Sequence, residues 1–104
     1  MLEIKEVIQE NKVILELSGR IDTNTSRTAQ EKILAALQKS GLVYLNLEQV
    51  DYVSSAGLRV FLIGQKTAAA KTASLRLVNV QENVRAVLDM SGFSKVLEIW
   101  DNIQ

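Results

Sequence analysis

Two adjacent hydroxyls, Ser54 and Ser55, stand in the run Asp51-Tyr52-Val53-Ser54-Ser55-Ala56-Gly57-Leu58-Arg59, where a strand-like pattern gives way to a helical one. A hydroxyl at such a point can cap the helix, act as a nucleophile or accept a phosphate. Capping needs only a side-chain oxygen for one of the about four N–H groups that a helix start leaves unpaired, and contributes ~1 kcal/mol. Nucleophilic attack needs an activating base, and the chain contains no His and no Cys. The same absence removes disulfides, thiolate chemistry and Cys/His zinc sites. Val53-Ser54-Ser55-Ala56-Gly57 lacks the first Gly of a nucleophile elbow, and no G-x-x-x-x-G-K run exists for a phosphate-binding loop. That also disfavours a nucleotide hydrolase.

The acidic residues show no clustered spacing for a metal cage or an acid and base pair. No catalytic residue, cofactor or metal is therefore expected, and the chain reads as a non-enzyme. Capping and phosphate acceptance stay open. A helix N-terminus carries about half a positive charge and free donors, so a phosphate on Ser54 or Ser55 would be held without unfolding the domain. Gly57 leaves the backbone open to close approach. At a partner interface the same phosphate must be desolvated or meet like charge. A cost of ~4 kcal/mol there is about a thousandfold in affinity, which suits the position to an on/off switch for association.

The elements that must position these hydroxyls follow from periodicity. Leu2 to Gln9 and the alternating Val13, Leu15 and Leu17 read as two strands in a hairpin around Glu10-Asn11-Lys12. Gly19 to Ser26 reads as a loop, followed by a helix with Ala29, Ile33, Ala36 and Leu37 inward and Gly41 as its C-cap. Leu42 to Leu47 is apolar except for Asn46, as a central strand buried on both faces would be. A second helix begins at the serine pair, with Leu58, Phe61, Leu62, Gln65 and Ala69 at helical spacing.

Leu75, Leu77 and Val78 supply another strand. Asn79 with Glu82 has capping-box spacing for a third helix that carries Val84, Val87 and Leu88 inward and stops at Ser91-Gly92. In the tail, Leu97, Ile99 and Trp100 alternate, before one possible helical turn, with Trp100 expected as a lid on the core. Alternating strands and helices imply an α/β fold, a mixed and mostly parallel sheet of four to five strands with helices packed on it.

With 104 residues, 47% hydrophobic and 23% charged, the chain has the length and balance of one globular domain, expected over residues 1–104. Twelve Lys plus Arg offset twelve Asp plus Glu and are scattered singly, so neither a nucleic-acid patch nor a polybasic membrane anchor is formed. No run approaches the about 18 to 20 apolar residues of a membrane span, and the N-terminus lacks a secretory pattern. Direct membrane insertion is not expected. A cytoplasmic location is.

The segment Leu45 to Leu58 resembles the signature of STAS domains, especially the single-domain anti-sigma factor antagonists of bacteria. Leu17 to Asp22 is similar to the family's strand-to-helix loop, and Leu88 to Phe93 to its third-helix ending. The resemblance implies a STAS-like fold and a binding protein controlled by serine phosphorylation. In such a family the unmodified antagonist binds an anti-sigma factor with serine kinase activity, is released when that kinase phosphorylates it, and is restored by a serine phosphatase. The acceptor position, two residues before the Gly57-Leu58 pair, falls on Ser55, with Ser54 as the alternative and standing where many members carry Asp. Asp22, Ser54, Ser55, Ala56, Gly57 and Arg59 are the expected partner-binding residues. Asp22 has a second reading as a loop or cap carboxylate, and Arg59 as an exposed helix residue. An alternative function is a STAS-type accessory subunit of a membrane transporter, docking without phosphorylation.

Overall fold

The computed structural model describes residues 1–103. Strands β1 (Leu2–Gln9) and β2 (Lys12–Ile21) form the antiparallel hairpin. Helix α1 (Ser26–Lys39), strand β3 (Leu42–Val53), helix α2 (Ser55–Ala70), strand β4 (Ser74–Val78) and helix α3 (Glu82–Ser91) follow. A 3-10 turn at Phe93–Lys95 leads to the short strand β5 (Glu98–Trp100). The sheet order is β1-β2-β3-β4-β5, and every pairing after the first is parallel. This is the mixed, mostly parallel five-stranded sheet with helices that the alternation of elements implied, and β3 is central.

The core lies between one face of the sheet and the helices. Val13, Leu15, Leu17 and Ile21 of β2, Val43, Leu45 and Leu47 of β3, and Leu75 and Leu77 of β4 meet Ala29, Ile33, Ala36 and Leu37 of α1 and Leu58, Val60, Phe61 and Ala68 of α2. These α1 residues are the expected set. On the opposite face Ile14 and Tyr44 are also buried, and Arg76 Nη1 donates to the Tyr44 hydroxyl at 2.9 Å. Burial on both faces is what makes the start of β3 almost continuously apolar.

Several local expectations are corrected. Helix α1 does not end on a glycine cap: Ser40 is the C-cap in extended conformation, and its N–H donates to the Ala36 carbonyl. Gly92, in contrast, is left-handed at φ 82° and ends α3 as glycine allows. The buried stripe of α2 runs through Gly64 and Ala68, leaving Ala69 exposed. Asn79 is not a cap. It sits at φ 56°, a region asparagine tolerates, and donates from Nδ2 to Asn46 Oδ1 at 3.2 Å, while Gln81 takes the N-cap place of α3 without capping it through its side chain. Val87 faces solvent, and only Val84 and Leu88 of α3 are buried. Trp100 lies outside the core cluster, with the Arg76 guanidinium 4.0 Å from its ring centre. Ile99 packs on the core instead.

The largest correction concerns the strands that carry the site. Residues Gly19 to Ile21 continue β2, and β3 runs past Leu47 to Val53. Between the pairs Glu16–Asn46 and Ser18–Gln49, and again between Gly19–Val50 and Arg20–Tyr52, β3 contains one residue more than β2. Each such bulge shifts the pleat by one position. The inward residues of β3 therefore change from a spacing of two to a spacing of three, at Leu47, Val50 and Val53. That spacing hides the strand from a test for alternation.

Candidate functional site

The two bulges leave irregular backbone that side chains satisfy. Asn46 Oδ1 accepts from the Glu48 N–H at 3.1 Å, so the one polar residue in the apolar run braces the first bulge. Gln81 Nε2 donates to the Glu48 carbonyl at 2.7 Å, and Asn83 Nδ2 to the Asp51 carbonyl at 2.6 Å. Amide side chains at the start of α3 thus anchor the extension of β3. Their role was not legible in advance, because a bulge carbonyl has no sequence mark of its own.

At the end of this braced strand, Val53 pairs with Ile21, and the next N–H, of Ser54, donates to the Ile21 carbonyl at 2.9 Å. Chain direction then changes into α2. Ser54 is the N-cap: its backbone is extended and its Oγ accepts from the Gly57 N–H at 3.4 Å. Ser55 is the first helical residue and is exposed, and its hydroxyl makes no hydrogen bond among the described residues. Helix geometry leaves the N–H groups of Ser55 and Ala56 without intrahelical partners, so donors and the positive end of the helix dipole surround that hydroxyl. The two serines divide the work. One caps and the other stays reachable.

Gly57 is buried rather than presented to a partner. A Cβ on it would lie 2.8 Å from the Ile21 carbonyl oxygen, Ile21 Cγ2 and Val53 Cγ1 alike. The close approach that the glycine permits is that of the chain's own strand ends, so Gly57 positions Ser54 and Ser55 and is itself no surface contact. Ala56 is half-buried. Arg59 is exposed and lies one helical turn beyond Ser55, at the i,i+4 spacing that puts both on one face of α2.

Asp22 follows Ile21 directly, which places it on the same edge of the sheet. Its Oδ1 accepts from the N–H groups of Asn24 and Thr25 at 3.0 and 3.2 Å and from the Thr25 hydroxyl at 3.3 Å. Its Oδ2 lies 3.6 Å from Arg20 Nε. Thr25 completes the loop, accepting from the Asp22 N–H at 2.9 Å and donating to the Arg20 carbonyl at 2.8 Å. Desolvation pushes the Asp22 carboxyl up, but the bonds from Asn24, Thr25 and Arg20 together outweigh it and hold the group below the ordinary carboxylate range. Asp22 thus organises its own loop.

Two further residues complete the surface. Tyr52 is 42% exposed, and the Arg20 guanidinium lies 4.2 Å from its ring centre. Neither has a role assigned from the sequence, although an aromatic residue directly ahead of a helix start is a signal that points to Tyr52. Among the described residues no group of three or more carboxylates could hold a metal ion, and no helix is long and apolar enough to cross a membrane. What the edge offers chemically is an exposed hydroxyl at the start of a helix, beside an aromatic ring and charges of both signs.

The sequence model of the STAS domain family matches residues 3–104. An anti-sigma F factor antagonist of Paenibacillus polymyxa is 32% identical over 92 residues, which are 86% of this chain and 79% of that protein. Among solved structures, an anti-sigma factor antagonist from Mycobacterium paratuberculosis has a TM-score of 0.88 at 16% identity, covering 99% of this chain and 88% of that one. The Bacillus cell fate determinant SpoIIAA in its phosphorylated form has a TM-score of 0.74 at 19% identity, with 100% and 93% covered. At these identities the structural likeness speaks for the fold alone.

Proposed function

This chain belongs to the STAS domain family, and from that membership we propose that it is an anti-sigma factor antagonist switched by a phosphate on Ser55. Unmodified, it binds an anti-sigma factor through the edge formed by Asp22, Tyr52, Ser54, Ser55, Ala56 and Arg59. The anti-sigma factor is also the serine kinase. Transfer of the γ-phosphoryl group of ATP to the Ser55 oxygen, with loss of the hydroxyl proton and departure of ADP, ends the association, and a serine phosphatase restores the hydroxyl by hydrolysis to inorganic phosphate. The chain acts as a binding protein and not as an enzyme.

The observation that carries this reading is the division of the serine pair. Ser54 is spent on the cap, whereas Ser55 is exposed with a free hydroxyl at the helix dipole's positive end. A phosphate there meets a helix end favourable by about 0.3 to 1 kcal/mol, so the fold survives the modification. Across an interface the same near-dianion is costly to desolvate, and the partner is lost.

The test is incubation with a kinase-type anti-sigma factor and ATP, followed by intact-mass measurement. Wild type and Ser54→Ala are expected to gain one phosphate and Ser55→Ala none. An unchanged wild-type mass with a kinase-type partner that demonstrably binds the protein would overturn the reading.

A further inference from the structure

Strand β1 is the long free edge of the sheet. It runs for eight residues without Pro or bulge, whereas β5 at the opposite edge has three. Gln9 pairs with Lys12 across a two-residue turn, and at the far end the Arg20 N–H donates to the Met1 carbonyl at 3.2 Å. Hydrogen-bonded pairs alternate along an antiparallel ladder, so Met1, Glu3, Lys5, Val7 and Gln9 direct their backbone groups to β2. The N–H and C=O groups of Leu2, Ile4, Glu6 and Ile8 point away from it. Such an edge is a template for another strand.

Charge selects both the partner and the register. Glu3, Lys5 and Glu6 are the ionisable side chains of β1. Glu6 is already engaged by Lys39 at 2.7 Å, and Lys5 stands opposite Glu16, but Glu3 stands opposite Ser18. If a second copy approaches antiparallel about a twofold axis at Glu3, Lys5 or Glu6, identical charges face each other, which is unfavourable. An axis at Val7 opposes no ion pair. An axis at Ile4 opposes each Glu3 to Lys5 of the other copy, twice, and brings the two half-buried Ile4 side chains together on the core face. Ile4 belongs to the outward-pointing set, so its N–H and C=O meet their counterparts as a hydrogen-bonded pair.

We propose that the protein self-associates through β1, two copies pairing antiparallel about Ile4 to join their sheets into one. The helices do not obstruct this. The two β2 strands, against which the α1 helices pack, would stand three strand spacings apart, about 14 Å. A helix with its side chains is about 10 to 12 Å across.

Sedimentation of the full chain over a concentration series reaching about 1 mM reads the association. Wild type is expected to form a reversible dimer. Glu3→Lys and Lys5→Glu alone each oppose like charges and weaken self-association by roughly tenfold, while an equimolar mixture of the two variants restores it, because every opposed pair is then of opposite sign. Circular dichroism of each variant confirms that it is folded. Amide exchange adds a map: protection at Leu2, Ile4 and Glu6 rises with protein concentration. A wild-type protein that stays monomeric overturns the proposal, as does a dimer indifferent to both reversals or one whose concentration-dependent protection lies away from β1.

Discussion

Replacing Gly57 with Ala tests whether the serine pair is positioned by contact with the strand ends. On helix propensity alone the change favours the variant by about 0.8 to 1 kcal/mol. Against that, the new methyl group lies 2.8 Å from the Ile21 carbonyl oxygen, a backbone atom that cannot rotate away, and equally close to Ile21 Cγ2 and Val53 Cγ1. Overpacking of this kind costs about 1 to 3 kcal/mol. Moving α2 outward to relieve it also stretches the Ser54 to Ile21 hydrogen bond, now 2.9 Å, which is worth about 0.5 to 1.5 kcal/mol. The balance is a loss of about 1 to 3 kcal/mol, which for a domain of this size lowers the thermal midpoint by roughly 5 to 20 °C.

Two other glycines serve as internal standards. A Cβ on Gly64 would meet the side-chain ends Leu75 Cδ2 at 2.8 Å and Ile33 Cγ2 at 3.1 Å, which can give way, so Gly64→Ala should change stability by under about 1 kcal/mol. Around Gly41 nothing lies within 4 Å and φ is not positive, so Gly41→Ala should be neutral or stabilising by up to about 1 kcal/mol. Urea titrations of the three variants give the order directly. A Gly57→Ala protein as stable as wild type, or no less stable than Gly64→Ala, would refute the reasoning.

Ser54→Ala removes the cap, and because that bond is long at 3.4 Å the loss should sit near the lower end of the capping range, about 0.5 to 1 kcal/mol, in a denaturant titration. Ser54→Asp, which keeps an acceptor and adds negative charge at the helix start, should be at least as stable as wild type at neutral pH. The lowered Asp22 pKa sets a pH dependence: its folded value lies below the unfolded one of about 3.9, so its stabilisation is fully present above that value and is lost as pH falls through the folded one. Denaturation between about pH 2 and 6 should show a shallower acid limb for Asp22→Asn than for wild type, and identical slopes would remove the carboxylate from the account.

Much of the architecture is legible along the chain because it is written in local periodicity. The hairpin, the inward set of α1, the central place of the apolar segment from Leu42 and the glycine stop at Gly92 each depend on residues a few positions apart. Where the pattern failed, a distant partner had changed the rule. The end of β3 looks like loop because its buried positions fall three apart, and they do so only because β2 supplies fewer residues across the two bulges. Asn79 has the spacing of a cap but is bonded to Asn46, and Val87 has the spacing of a core residue but is exposed.

The candidate site divides in the same way. Residue types alone determined that a hydroxyl pair stands at a helix start in a chain without His or Cys, and therefore that phosphate acceptance or capping, not nucleophilic catalysis, is the chemistry in question. Tertiary structure decided which hydroxyl caps: Ser54 Oγ accepts from the Gly57 N–H while the Ser54 N–H is bonded to Ile21, and Ser55 is left exposed one residue later. It also moved Gly57 from surface to support and bound Asp22 into its own loop. The physical reason is that the burial of Gly57 and the bond from the Ser54 N–H to Ile21 depend on how closely α2 approaches the end of β2, a distance set by packing between segments more than thirty residues apart, whereas the bonds of Asp22 are made within its own loop.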